Sequence, residues 1–163
     1  MLRSRRDYLL RIIDEVGEFL ARAVFKRKAG REQESFQSIV QACERLFGLE
    51  ADALFQFDPD QHFAMLTKGS EPDQACAQVL LYAALNLEAG RNYAALKRPE
   101  LARVSFLNAL RFTLRARVAF PTGTPSAYAP DVPTLLALLT DQPLDDETAE
   151  LLRQTAAMGP SAG

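Results

Sequence analysis

Histidine occurs once, at His62, and cysteine only twice, at Cys43 and Cys76. A single imidazole excludes a His–His metal pair and the His-x-x-x-His zinc helix. Gly123 stands alone between threonines, and no Gly-rich run ends in Lys-Ser or Lys-Thr, so no loop is suited to cradling a phosphate. No charge-free apolar run reaches the ~20 residues that a membrane-spanning helix needs. Excess charge of one sign is missing too: 19 basic against 21 acidic residues leave a net charge of −2, unlike a dedicated nucleic-acid binder. The basic start, Met1-Leu2-Arg3-Ser4-Arg5-Arg6, superficially resembles the first region of a signal peptide. Asp14, Glu15 and Glu18 interrupt the apolar stretch that should follow, so a cytoplasmic protein is expected. In that compartment Cys43 and Cys76, set among apolar neighbours, read as buried free thiols.

What remains is an ordinary globular composition, 48% hydrophobic and 25% charged over 163 residues. A chain of this length forms one domain that buries roughly 70% of its unfolded surface. Helical periodicity runs almost throughout. Ser4 and Asp7 suggest a cap for a first helix that runs to Lys28 and stops at Gly30, with Lys26, Arg27 and Lys28 at its negative dipole end. Its apolar set, from Leu9 through Ile13 and Val16 to Phe25, is too broad for one stripe. A second helix over 32–47 is a cleaner amphipath, built on Phe36, Ile39, Val40, Cys43 and Leu46, and Gly48 stops it. Two short pieces follow, Ala51–Phe57 and one capped by Asp58 with Pro59 as its first residue.

The chain is organised around 74–119, read as two long helices joined at Lys97-Arg98-Pro99. Ser70 and Asp73 look like a capping box, with Pro72 in the first turn. Pro121, Gly123, Pro125 and Pro130 then exclude regular structure over 121–130. Asp131 and Pro133 open a short Leu-rich helix, Asp145-Asp146-Glu147 marks a last one to about Ala157, and Met158–Gly163 reads as a frayed tail. The expected organisation is a helical domain over 1–120, a Pro-rich boundary loop at 121–130, and C-terminal helices over 131–158 packed on the same domain.

Gly90-x-x-Tyr93 followed by Ala102-x-x-x-Phe106-x-x-Ala109 resembles the tetratricopeptide repeat in order and spacing. Asn86, Ala89 and Leu114 depart from it, standing where the family has Trp, Leu and Pro. A weaker copy lies upstream at Ala23, Ser35, Ile39 and Ala42, with Lys26 in place of Tyr. Ala42 and Ala109 are 67 residues apart, close to two repeat lengths of ~34. The chain is also similar to a small bacterial family of such helical proteins, a likeness that carries no function. The repeat likeness implies an all-α fold of antiparallel hairpins in a right-handed superhelical array, with the short C-terminal helices docked on it. It implies a concave surface that holds a protein or peptide partner.

Carried over position by position, that surface comprises Gly17, Leu20, Val24, Arg27 and Lys28 in the upstream copy and Ala84, Leu87, Arg91, Ala94 and Ala95 in the central hairpin. Arg27, Lys28, Leu87, Arg91 and Ala94 are the expected partner contacts. Three cations without an acid suit an acidic segment with apolar anchors. The chain's own acidic tail, around Asp141, Asp145, Asp146, Glu147 and Glu150, could fill the same place.

No pairing of nucleophile and base can be named, so the expectation is a non-enzymatic interaction protein without cofactor or metal. His62 reads as a partly exposed helix residue near Asp58 and Asp60, and Glu50, Asp58 and Asp60 lack calcium-loop spacing. The wide apolar face of the first helix gives an alternative, a structural homodimer paired through Leu9, Ile13 and Val16. A further alternative is weak nucleic-acid binding through two basic helix ends, Arg22–Arg31 and Arg111–Arg117, if they lie side by side.

Overall fold

The structure, a computed structural model, describes residues 2–123 and 126–159, with side chains from residue 5 onward. Among the described residues there are eight helices and no strand: α1 (Leu2–Lys28), α2 (Glu32–Phe47), α3 (Ala51–Leu54), α4 (Pro59–Thr67), α5 (Pro72–Ala95), α6 (Pro99–Ala119), α7 (Val132–Leu138) and α8 (Asp146–Ala157). None of them is long and apolar enough to cross a membrane. The two main hairpins are α1–α2 and α5–α6, and α5 packs on both helices of the first.

Local chemistry accounts for most boundaries. Gly48 closes α2 in the left-handed region at φ 69°, which a glycine adopts without a Cβ penalty. Asp58 and Gln61 form a reciprocal capping box at the start of α4, with Pro59 following. The side chains of Asp131 and Asp145 accept the backbone N–H of Thr134 and Thr148, which starts α7 and α8. The α5–α6 turn sets Lys97 at φ 60°, and Pro99 then opens α6.

Three local expectations give way. Helix α1 already runs from Leu2, so Ser4 lies inside it instead of capping it. The Ser70–Asp73 box does not form: Glu71 is the N-cap of α5 without a side-chain bond, and the Ser70 hydroxyl turns to Gln78. The first short piece ends at Leu54 instead of Phe57, and the N–H groups of Phe55, Gln56 and Phe57 donate back to the carbonyls of Ala51, Ala53 and Leu54 as turns before Asp58 caps α4. Of the expected frayed tail, Met158 and Gly159 end α8, and 160–163 lie outside the described residues.

The core has two parts. The larger joins Ile12, Val16, Leu20 and Ala23 of α1 to Ile39, Ala42, Cys43 and Leu46 of α2, to Leu54, Leu66 and the first half of α5, and to Phe112 and Ala116 of α6. Much of the apolar face of α1 is thus covered within the chain, since α2 and α5 both lie against it. The second part joins Ala102, Phe106, Ala109, Leu110 and Leu114 of α6 to Val132, Leu135 and Leu139, with Leu144, Leu151 and Leu152 packed on it. The C-terminal helices therefore dock on α6 and complete its outer face.

Small residues set the hairpin spacing. A Cβ placed on Gly90 would lie 2.5 Å from Cδ1 and Cε1 of Phe106, so the α6 ring occupies the space that any side chain would need. Ala102 and Ala109, one turn either side of Phe106, are buried with it. Asn86 turns its amide back to donate to the Tyr82 carbonyl.

Candidate partner-binding groove

Helices α1 and α5 lie side by side, and their C-terminal ends meet at an ion cluster. Arg27 Nε donates to Glu88 Oε2 at 2.6 Å and Nη2 donates to Oε1 at 3.2 Å, a two-pronged contact that suits the planar guanidinium. Arg91 Nη1 reaches the same Oε1 at 3.5 Å from one turn along α5. The Glu88 side chain is only 5% exposed, against 18% for Arg27 and 35% for Arg91. Lys28 and Ala94 are exposed beside them, and Ala95 continues the open surface. Position-by-position transfer found the cations but not their counter-ion. Glu88 was legible only as one more helical acid, because its burial depends on α1 lying alongside.

A polar ladder holds this end of the bundle together. Asn92 Nδ2 donates to Ser35 Oγ at 2.8 Å, and Ser35 donates to the Ala23 carbonyl at 2.7 Å, tying α5 to α2 and α2 to α1. Asn92 is wholly buried and its Oδ1 finds no partner among the described residues, so the ladder is satisfied on the donor side only. Lys26 Nζ donates to Ser38 Oγ and adds a second α1–α2 tie.

The remaining transferred positions divide sharply. Leu87 is half-buried and packs against the second core, so its side chain serves the fold as much as a surface. Gly17, Leu20 and Ala84 are buried. The chain that covers Gly17 comes from the 121–130 loop: a Cβ on Gly17 would run into the Tyr128 phenol, 2.6 Å from its Cζ. Ala129 and Phe120 pack on the main core, and Pro130 is buried. On the other arm Gly123 approaches Cys76, whose Sγ would lie 3.0 Å from a Cβ there. On both sides of Thr124 and Pro125, which lie outside the described residues, the expected boundary loop touches the bundle and forms a strap against it.

The acidic tail goes elsewhere. Asp141 pairs with Arg103 at 2.6 Å and Glu147 pairs with Arg111 at 2.5 Å, so α8 and its lead-in are drawn to α6 and not to Arg91 or Lys28. Arg115 is taken by Asp60 at 2.8 Å and also lies over the Phe63 ring. Arg27 is engaged by Glu88 of α5, whereas Arg111 and Arg115 are engaged by Glu147 and Asp60, so these cations of the two basic groups are paired to different elements.

The three residues expected at a dimer contact are placed unequally. Val16 is 0% exposed and sits in the core, where α2 and α5 cover it, so it has no surface for a second copy. Ile13 is half-buried against that core. Leu9 is half-exposed and lines an open cavity of about 600 Å³ with Arg5, Arg6 and Gln74. Apolar surface on α1 does remain at Tyr8, Leu10 and Phe25, the last 67% exposed.

His62 is a correction of another kind: it is buried, not half-exposed. Its Nε2–H donates to the Leu54 carbonyl at 2.9 Å, which leaves Nδ1 to accept from the Tyr82 hydroxyl at 3.2 Å. Phe47 and Tyr82 stand edge-on to each other at 4.9 Å beside it. Burial, and then the nearby Cys43, raise the Tyr82 phenol above its ordinary value. Burial, reinforced by Glu44, holds the Cys43 thiol protonated up to about 12. Both cysteines are free and buried. The cluster ties the carbonyl that ends α3 to α5, so its residues are occupied in structure. Among the described residues no three His, Cys, Asp or Glu side chains gather as a metal ion would require.

Compared with family models, curated proteins and solved structures, the chain matches none. The reading of the groove therefore rests on its own residues.

Proposed function

We propose that this chain is a non-enzymatic protein-interaction module in which stacked, tetratricopeptide-like hairpins present the α1–α5 face to an acidic segment. The observation that carries this reading is the ion cluster at the end of that face. Arg27 and Arg91 share one carboxylate, Glu88, and exposed Lys28 follows Arg27 at the end of α1, so this stretch carries a surplus of positive charge near exposed Ala94 and Ala95. Arg91 touches Glu88 at only 3.5 Å and retains free N–H groups, the donors that a partner's carboxylate would use. The contact of α5 with both helices of the first hairpin, and the seating of Phe106 on Gly90, support the repeat-like stacking. Fold-level analogy is what links that stacking to peptide binding.

The experiment is binding of a labelled acidic peptide, measured by fluorescence anisotropy at two salt concentrations. The double variant Lys28→Glu with Arg91→Glu should weaken it at least tenfold, while circular dichroism stays unchanged. Equal affinity for wild type and variant would end the acidic-segment reading. Arg27 is left out of the test because it neutralises buried Glu88.

A second reading, a homodimer through α1, is favoured by exposed Tyr8 and Leu10 beside half-covered Leu9 and Ile13. Leu9→Asp or Ile13→Asp should then halve the mass seen by light scattering without unfolding the chain. A monomer at high micromolar concentration excludes it.

A further inference from the structure

The strap lies where the proposed groove begins, and it touches α1 at the one position with no side chain. Gly17 is buried although it carries no side chain to hide, because the Tyr128 phenol rests on it. Tyr128 is itself 37% exposed. The strap holds on by few contacts: Ala129, Pro130 and Phe120 pack down, and the only side-chain hydrogen bond among its described residues is local, from the Tyr128 N–H to Ser126 Oγ. An aromatic on a glycine notch, held by a loop with few polar ties, has the form of a bound ligand more than of a core element.

We propose that the Gly17 notch is the aromatic-accepting end of the groove, occupied in cis by Tyr128 and open in trans to an aromatic residue of the acidic partner. This rests on the groove reading above and adds both a partner feature and its regulation. Lys28 lies three helical turns from Gly17 on nearly the same line of α1, about 16 Å along the axis. An extended chain rises ~3.3 Å per residue, so the partner's aromatic and its carboxylate are separated by about five residues. A partner must displace the strap to reach the notch, and apparent affinity falls by the fraction of molecules whose strap is lifted.

Cys76 reports the strap independently of any partner, because Gly123 lies against its sulfur. Cys43, deeper in the core, serves as the internal control. The test compares wild type, Tyr128→Ala and Gly17→Ala for thiol labelling by a disulfide reagent and for anisotropy binding of two peptides. One peptide has a tyrosine about five residues from a Glu pair, made in both chain orders. The other has alanine in place of the tyrosine. Tyr128→Ala should speed Cys76 labelling at least threefold, leave Cys43 unchanged, and tighten the tyrosine peptide at least threefold. Gly17→Ala should also release the strap and speed labelling, yet weaken the tyrosine peptide, because the added methyl fills the notch against both rings.

Unchanged Cys76 labelling in Tyr128→Ala overturns the strap. Equal affinity for the tyrosine and alanine peptides, still lost on Arg91→Glu, overturns the notch and leaves the charged groove standing. Binding of neither peptide, with strap release observed, overturns the proposal together with the groove reading.

Discussion

Replacing Gly90 with alanine sets helix propensity against packing, and the geometry decides which wins. Alanine in a helix interior is favoured over glycine by about 1 kcal/mol. The new Cβ, however, would stand 2.5 Å from two carbons of the Phe106 ring, where relaxed carbon contacts lie near ~3.5–4.0 Å. The ring must retreat by about 1 Å, and Phe106 is 5% exposed, flanked by buried Ala102 and Ala109 and backed by the second core. Overpacking of that kind costs about 1–3 kcal/mol. The net expectation is a loss of about 1 kcal/mol. The chain has no tryptophan, so urea unfolding is followed by ellipticity at 222 nm. With a slope of about 2 kcal/mol per molar, the midpoint should fall by about 0.5 M. In a Phe106→Leu background the same change should be neutral or stabilising, giving a coupling of about 1–2 kcal/mol between the sites. A raised midpoint for Gly90→Ala alone, or strict additivity in the double variant, would refute the close hairpin crossing.

Glu88→Gln keeps the shape of the ion cluster but leaves the Arg27 guanidinium facing a neutral amide; unfolding should show a loss of about 1–3 kcal/mol, and no loss would mean that the pair is structurally idle. Tyr82→Phe removes the donor to His62 and should cost about 1 kcal/mol, whereas His62→Ala also opens a cavity against Phe47 and should cost about 2–4 kcal/mol; equal effects would argue against a buried, doubly bonded imidazole. Alkaline pH tests the buried thiols. An unfolded cysteine ionises near 9 while folded Cys43 holds its proton to about 12, so the unfolded state binds fewer protons in that window and stability falls as pH rises through it. Cys43→Ala should flatten the decline between about pH 9 and pH 10, leaving the smaller share of Cys76, whose thiol is raised by burial and then by Asp73. A slope identical to wild type would show that Cys43 is not held protonated by burial.

Most of the helical layout was legible because its causes are local. Pro59, Pro72 and Pro99 start helices, Gly48 ends one, and Asp58, Asp131 and Asp145 cap the helices behind them through bonds that span three residues. The hairpin built on Gly90, Ala102, Phe106 and Ala109 was readable for the same reason: small-residue spacing is a property of the chain itself. What depended on distant partners was not. His62 looked half-exposed because nothing local shows that Tyr82, twenty residues on, and the Leu54 carbonyl would close over it. Val16 looked like surplus apolar surface until α2 and α5 were laid against α1. Glu88 became the counter-ion of Arg27 across 61 residues, and Asp141 and Glu147 were drawn to Arg103 and Arg111 instead of Arg91 or Lys28. The Pro-rich segment is the clearest case. Its composition determined that no helix would cross it, but only the tertiary fold could lay Tyr128 on Gly17. Local propensity acts over a few residues, whereas burial and ion pairing are decided by whichever distant surfaces the packing brings together.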